Sequence, residues 1–486
     1  MAVAVATRDL TQLSATELAA AIRAGEASAR EVVEAHVELL RRVNPRINAV
    51  VADRFDAALE EADAADARVA EAADPDSLPP LLGVPCTIKE SFAVEGLPNC
   101  VGVVARREHL ADRTATAAGR LLDAGAIALG LTNVSEMTLW VETENRVYGR
   151  TRNPYDPART AGGSSGGEGA AVGSGGSPIG LGSDLGGSIR LPAFFNGVFG
   201  HKPSPGLVPG TGHWPEIAGG TSQLAVAGPL ARRAEDLATV LRIVAGPDGE
   251  DESVTAVELG DPDDVSIEGL RVVVSESGTL GPTSRELAGA RERAAGALAS
   301  AGARLERVST KSMRRALELF LNTLQAEAGV TARDLLATAG SEPLTLRAAL
   351  RRGGPHTVAT RMTLGAEWLG RLVPQRRVQR LLSARDSFVR ELHETIGDGV
   401  LLHPPAPGVA PRHGRTVGRL WWIHPMLVFN LAGLPVTQVP LGLGDRGLPL
   451  GVQVAAGRGR DHVSIAVARE LERVFGGWVP PPGARP

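Results

Sequence analysis

Three groups of residues have the types and the surroundings for acyl-transfer chemistry. The stretch "GSDLGGSIR", residues 182 to 190, sets Ser188 directly behind Gly186 and Gly187. Paired glycines let the backbone bend sharply and approach a ligand closely. The successive N–H groups of Leu185, Gly186, Gly187 and Ser188 could then face a carbonyl oxygen as it becomes negative, which is what an oxyanion hole requires. Ser164 and Ser165 occupy a second glycine-rich turn, 24 positions upstream of Ser188 when counted from Ser164. Lys89 ends the apolar segment "GVPCTI". A serine hydroxyl is a weak nucleophile until a base takes its proton, and a lysine can be that base when neutral. Burial lowers a lysine by several units from its ordinary value near 10.4, whereas an arginine stays charged. Of the 51 Lys and Arg residues only Lys89, Lys202 and Lys311 are lysines, so each is a candidate for a task that arginine cannot perform.

Other chemistries of glycine-rich segments fit less well. A phosphate-binding loop of the Walker type needs Gly-Lys-Ser/Thr, and no lysine lies between Lys89 and Lys202. "GSGGSPIGLG" imitates a dinucleotide fingerprint only in part. "GGSSG", Gly162 to Gly166, matches the G-x-S-x-G nucleophile elbow with Ser164 at its centre. The elbow requires a strand before it, but "NPYDPART" reads as a turn; it also requires a later histidine, for which His403 in "LLHPPAP" has the best context. Each feature also has a plain structural reading: a serine after glycines as a turn, a buried lysine as an ion pair, a glycine run as close packing.

The elements that must position these residues can be read from periodicity. Ser14 with Glu17 and Ser28 with Glu31 match the capping box, and Val33, Val37 and Leu40 follow at helical spacing, so residues 1–75 form an N-terminal helical segment. "GVPCTIKES" reads as a strand, and "RTATAAGRLLDAGAIALGLTN" as a helix closed by Gly125 and then a strand. Residues 162 to 187 hold 12 glycines in 26 positions, too many for a linker between patterned elements. "LRVVVSE", a helix starting at Thr283 with Glu286, and "ARLERV" form one βαβ unit. The acidic stretch 246 to 264 before it reads as a solvated connection. Residues 311–400 are helical and Arg-rich, and are expected to face the substrate. "LPVTQVPLG" and "LGVQVAA" close the chain as strands, followed by a helix from Asp461 with Val463, Val467, Leu471 and Val474 on one face. Alternating strands and helices over so much of the chain predict a single large α/β domain over 1–486, with a catalytic region at 80–240.

Composition bounds the function. The 486 residues are 43% hydrophobic and 22% charged, ample for a large core. A net charge of −4 is no strongly basic balance of the kind that would suggest nucleic acid as the default partner. The start carries no export signal and no apolar run is long enough to span a bilayer, so a cytoplasmic protein without a transmembrane segment is expected. Cys86 and Cys100 have neither disulfide-framework nor metal-ligand spacing and are expected to be reduced. Neither cofactor nor metal is expected; a small-molecule amide is the expected partner, and a homodimer is allowed.

"GVPCTIKES", "GGSSGGEGAAVGSGG" and "GSDLGGSIR", in that order, resemble the signature of the amidase signature family of serine hydrolases; the spacings of 75 and 24 positions resemble its fatty-acid amide hydrolase branch, and the flanking text is most similar to the fatty-acid amide hydrolase 2 type. The likeness also includes "RTRNPYDPARTAGGSSGGEG", "LPAFFNGVFGHKPSPG" and "GLPVTQVPLGL", and so extends over nearly the whole chain. It implies a mixed β-sheet covered by helices on both faces and a Ser-Ser-Lys triad. By position, Ser188 matches the acylated nucleophile, Ser164 the bridging serine that follows a cis peptide bond, and Lys89 the general base. Asp184 and Arg190 read as buried supports. The eukaryotic members carry an N-terminal membrane-spanning segment, and none is expected here, which puts membrane-delivered lipids in doubt; Trp421 and Trp422 read as core packing ahead of an acyl channel or membrane patch. Alternatives within the family are an esterase or the glutaminase subunit of a tRNA-dependent amidotransferase, whose signature reads Ser-Ala where Glu168 and Gly169 stand here. A scaffold pseudoenzyme is the alternative outside catalysis.

Overall fold

Strand Pro85–Lys89 lies between two parallel neighbours, Ile127–Thr132 and Ile179–Asp184, and every residue of the three is buried. Strands covered on both faces read as continuous apolar or small-residue runs, which is how "PCTIK" and "IGLGSD" are written. The computed structural model describes residues 9–484 apart from 218–220, 278–279, 310, 328, 330, 342–353 and 371–372. Its main sheet has eleven strands in the order Val50–Asp53, Ile127–Thr132, Pro85–Lys89, Ile179–Asp184, Val226–Ala231, Phe199–Lys202, Val436–Leu443, Pro449–Ala456, Val400–His403, Arg271–Ser277 and Arg304–Ser309. Parallel pairs lie toward both ends, antiparallel pairs join them through the middle, and the edge strand Val50–Asp53 is antiparallel to its neighbour, so the sheet is mixed. It forms the core of one α/β domain covered by helices, as the alternation of patterns predicts.

Both capping boxes close as expected, at the N-termini of helices Ala15–Arg23 and Ala29–Ile47, and Val33, Val37 and Leu40 are buried. The Asp236 carboxylate accepts from the first amides of the former helix, Ala15 N and Thr16 N, each at 2.9 Å. The βαβ unit also forms, with Arg271–Ser277 and Arg304–Ser309 parallel around helix Arg285–Ser300. Its cap is Ser284, one residue beyond the expected Thr283, because the Ser284 hydroxyl accepts from Leu287 N. In helix Asp461–Phe475, Val463, Val467 and Leu471 are buried but Val474 is 45% exposed: the buried stripe ends one turn before the helix does. The acidic connection is only partly solvated in effect, since Asp251 accepts from Gly210 N and Asp248 from Thr116 Oγ1.

Helices Ala316–Glu327, Ala332–Thr338, Val358–Gly370 and Gln375–Ile396 form a cover on this framework. Phe320, Phe388, Leu392 and Ile396 from it pack with Leu427, Phe429 and Leu434. A second attachment is polar: Glu136 accepts from Thr357 N and Thr360 Oγ1 and meets His356 Nδ1 at 2.6 Å. Trp422 packs against the main core, with Trp421 beside it at 6.1 Å between ring centres. Cys86 and Cys100 are free and buried.

Candidate active site

The glycine-rich segment is shaped by close backbone approach. Helix Gly166–Gly173 fills the space behind strand Pro85–Lys89, and the strand Ile179–Asp184 returns beside it. This helix-then-strand order is the reverse of the strand-then-helix that a dinucleotide fingerprint needs. A side chain at Gly180 would collide with Glu168 Oε2. The vacancy admits that carboxyl group between Thr87 Oγ1 and Thr132 Oγ1, each donating at 2.7 Å. From the far end of the chain, Trp478 covers the helix terminus and donates from Nε1 to Gly173 O at 2.9 Å.

Lys89 is 0% exposed at the end of its strand. Its Nζ lies 2.7 Å from Ser164 Oγ and 2.9 Å from Ser183 Oγ. Burial pushes the amine down to about 7 against the partly offsetting charges of Asp184 and Glu168. Burial pushes Glu168 the other way, up to about 7, against its two threonine hydrogen bonds and Lys89.

Ser164 is 1% exposed and follows a cis peptide bond from Gly163. No strand precedes it: residues 153 to 163 are turns and irregular backbone with two isolated bridges, at Arg159 and Thr160. His403 lies in strand Val400–His403 with Nδ1 on Ser275 Oγ at 3.1 Å. The elbow reading therefore lacks both its strand and its histidine.

Ser188 sits between strand Ile179–Asp184 and the short helix Arg190–Phe195 and, at 8%, is the most exposed of the three residues. Gly187 precedes it at φ +104°, a conformation that disfavours any side chain, and a Cβ there would stand 2.6 Å from Met426 Cβ. Asp184 fixes this turn. It accepts from Gly187 N at 2.7 Å, Ile189 N at 3.1 Å and Asn430 Nδ2 at 2.9 Å, and pairs with Arg190 Nε at 3.0 Å. Burial alone would raise its carboxyl, but the Arg190 charge and these hydrogen bonds hold it well below the usual carboxylate range. Arg190 in turn donates to Gln453 Oε1 and Asn430 Oδ1 at 2.7 and 2.6 Å. These contacts match the expectation that Asp184 and Arg190 are supports. Because Gly187 N–H is directed at Asp184, the amides of Leu185, Gly186 and Ser188 are the three of the four candidates left to meet a ligand in this conformation.

The two serine turns are joined by a hydrogen bond from Ser165 N to Ser188 O at 3.2 Å. Sequence reasoning missed Ser183 and His213 as members of this cluster. Ser183 lies inside the quoted stretch and its position on a strand beside that of Lys89 was a usable signal; His213, in "GTGHWPE", offered none. Among the described residues no group of three His, Cys, Asp or Glu side chains is placed to hold a metal ion, and no helix is long and apolar enough to cross a membrane.

A fully buried lysine thus meets two serine hydroxyls on a mixed sheet, and comparison with known proteins gives the class of the chain. The family profile described as "Amidase" matches residues 31–464. Human "Fatty-acid amide hydrolase 2" is 38% identical over 492 residues, covering 98% of this chain and 91% of the relative. "Indoleacetamide hydrolase" of Bradyrhizobium diazoefficiens is 34% identical over 482 residues, covering 96% and 87%. The structure of "6-aminohexanoate cyclic dimer hydrolase complexed with substrate" superimposes with a TM-score of 0.83 at 27% identity, covering 98% of this chain and all of that one. The chain belongs to the amidase signature family. Within it, the protein is an amidase, a hydrolase of carbon–nitrogen bonds other than peptide bonds.

Proposed function

We propose that the protein cleaves a carboxylic acid amide through an acyl-enzyme on Ser188, with Ser164 as proton bridge and Lys89 as general base. The observation that carries this reading is the 2.7 Å contact between Ser164 and an amine that burial holds near neutrality. With Lys89 neutral, the Ser164 hydroxyl donates to its lone pair. As Ser188 Oγ attacks the carbonyl carbon, its proton passes to Ser164 and that of Ser164 to Lys89. The N–H groups of Leu185, Gly186 and Ser188 stabilise the oxyanion, a contribution of several kcal/mol in such sites. Collapse breaks the C–N bond, and the proton returns through Ser164 to the departing nitrogen, which leaves poorly unless protonated. Water then attacks the acyl group as its proton passes through Ser164 to Lys89, and on collapse that proton returns through Ser164 to Ser188 Oγ, which releases the acid and regenerates the enzyme.

The surroundings of the oxyanion turn favour an apolar substituent. Gly186 lies against Leu427 and Phe320, and Gly187 against Met426. Phe320 belongs to the helical cover, which supports the reading that residues 311–400 face the substrate. Glu168 favours a stand-alone hydrolase over an amidotransferase component, because a buried carboxyl occupies the position where that signature reads serine.

Intact mass after exposure to a fluorophosphonate, together with hydrolysis of a panel of acyl amides and matched esters, tests the reading. A single adduct on the wild type, absent from Ser188→Ala, with amide hydrolysis lower by at least about 10⁴-fold in the variant, is expected. Labelling that survives in Ser188→Ala would remove Ser188 as the nucleophile; folded wild-type protein without an adduct would favour a site that depends on a partner protein.

A further inference from the structure

His213 stands behind the base, in contact with neither Ser164 nor Ser188 among the hydrogen bonds of the site. Backbone pairing fixes it there: Trp214 N donates to Ser91 O at 2.8 Å, Ala93 N donates to Gly212 O at 2.9 Å, and Phe92 and His213 form an antiparallel bridge. The Phe92 ring meets the imidazole edge to face at 4.9 Å. The ring is therefore held in one orientation by groups on both sides.

The protonation pattern follows from its partners. Nδ1 lies 2.6 Å from Pro215 O. A carbonyl oxygen can only accept, so Nδ1 carries the ring proton. Burial, with Lys89 nearby, pushes the ring down to about 3, which keeps it neutral, and Nε2 is left as a bare acceptor. Two hydroxyls lie 2.9 Å from it, Ser183 Oγ and Ser91 Oγ. Ser183 Oγ is also 2.9 Å from Lys89 Nζ. A hydroxyl has one proton; when Ser183 gives it to Nε2, only its lone pairs remain to face the lysine.

We propose that His213 is a positioning residue for the base: by accepting the Ser183 proton it makes Ser183 an acceptor toward Lys89, so that an N–H of the neutral amine turns to Ser183 and the lone pair to Ser164. The inference rests on the relay proposed above and adds its direction. Once Lys89 takes the proton that began on Ser164, the chain Lys89 N–H to Ser183, Ser183 O–H to His213 Nε2 and His213 Nδ1–H to Pro215 O is a run of donors ending on a carbonyl. Every member already points the way that a positive lysine requires, so no hydroxyl must reorient when the charge forms.

Other charges around the pair are accounted for. Asp184 and Glu168 act on Lys89 and are untouched by changes at His213. Glu90, next in sequence, is turned to the amides of Cys100 and Val101 and to Tyr148. Arg106 stacks on the adjacent Trp214 ring at 4.3 Å.

Without Nε2, the Ser183 hydroxyl is released to donate to the Lys89 lone pair. That competes with Ser164 and stabilises the neutral amine, which lowers its proton affinity. His213→Phe is therefore expected to reduce the plateau of kcat/KM by about 10- to 100-fold and to move its acidic limb to lower pH by about half a unit or more. His213→Gln, whose carbonyl oxygen can accept from Ser183, should restore both. Adding His213→Phe to Ser183→Ala should cost little beyond Ser183→Ala alone, since the histidine acts through that hydroxyl. The profiles are read on folded protein, verified by thermal melting, with Lys89→Ala in parallel. Inactive Lys89→Ala beside a His213→Phe enzyme of wild-type rate and limb would overturn this inference and leave the relay standing. Loss of rate without a limb shift or rescue by Gln would reduce His213 to packing. Lys89→Ala with wild-type activity would remove the relay itself.

Discussion

The sheet buries two lysines completely, and their surroundings differ in the respect that matters for catalysis. Lys89 and Lys202 lie on strands three places apart, both 0% exposed, and burial pushes each amine down to about 7. Lys89 Nζ meets two serine hydroxyls, whereas the hydrogen bond of Lys202 Nζ is to a backbone carbonyl, Pro203 O at 2.8 Å. A carbonyl has no proton to give. Desolvation makes both amines available as bases, and only the neighbouring hydroxyls give one of them a proton to take. The Asp184 carboxylate acts on both, and Arg190, paired with Asp184, adds a repulsion at Lys202.

The contrast is broken most directly by removing each amine in turn. Lys89→Ala is expected to lower amide hydrolysis by about 10³-fold or more, while Lys202→Met should change it by less than about threefold; equal losses in steady-state assays would mean that burial alone had been selected. In the wild type kcat/KM should rise with pH through about 7, because in the proposed relay Lys89 can act as base only after it loses its proton.

A smaller effect is expected from the support between the two. Arg190→Met leaves the Asp184 carboxylate buried without its partner and should cost about 3–5 kcal/mol of stability in denaturant unfolding. A loss below about 1 kcal/mol would show that Asn430 and the turn amides suffice.

The smallest signal is in the pH dependence of stability. Between about pH 7 and the unfolded value near 10.4 the folded protein holds both lysines neutral while the unfolded chain protonates them. The unfolded state then binds more protons, so stability rises with pH over that window. Lys202→Met removes one of the two and should reduce the slope by about 1.4 kcal/mol per pH unit. An unchanged slope would mean that Lys202 stays charged inside the fold.

Much of this was legible from residue types and spacing, and the exceptions have physical causes. The scarcity of lysine singled out Lys89, Lys202 and Lys311 together; the apolar segment that Lys89 ends put it forward as the base, and the family resemblance pointed to the same residue. Lys311, the third, is exposed. Ser164 and Ser188 were readable because each lies in a glycine-rich turn, where the backbone itself carries the signal. His213 was not, because it reaches Ser183 from 30 positions away in sequence and depends on the bridge to Phe92. The Gly187 amide looked equivalent to its neighbours in sequence; Asp184, three residues before it, takes that donor through a side-chain contact that spacing does not announce. The capping boxes were exact to the residue since they are local, while the exposure of Val474 depended on where distant packing stops.

The Trp478 indole that closes the glycine-rich helix has a consequence for the order of synthesis. All three residues of the proposed relay have been joined to the chain by position 188, but the lid on Gly173 O arrives 305 residues after the carbonyl it covers. At about 5–20 residues per second, roughly 15 to 60 s separate the two. During that interval the helix terminus has to keep its last carbonyl solvated or borrow another donor. A ribosome-bound chain thus carries the chemistry of the site well before it can finish the packing around it, and the final closure of this helix belongs to the end of translation.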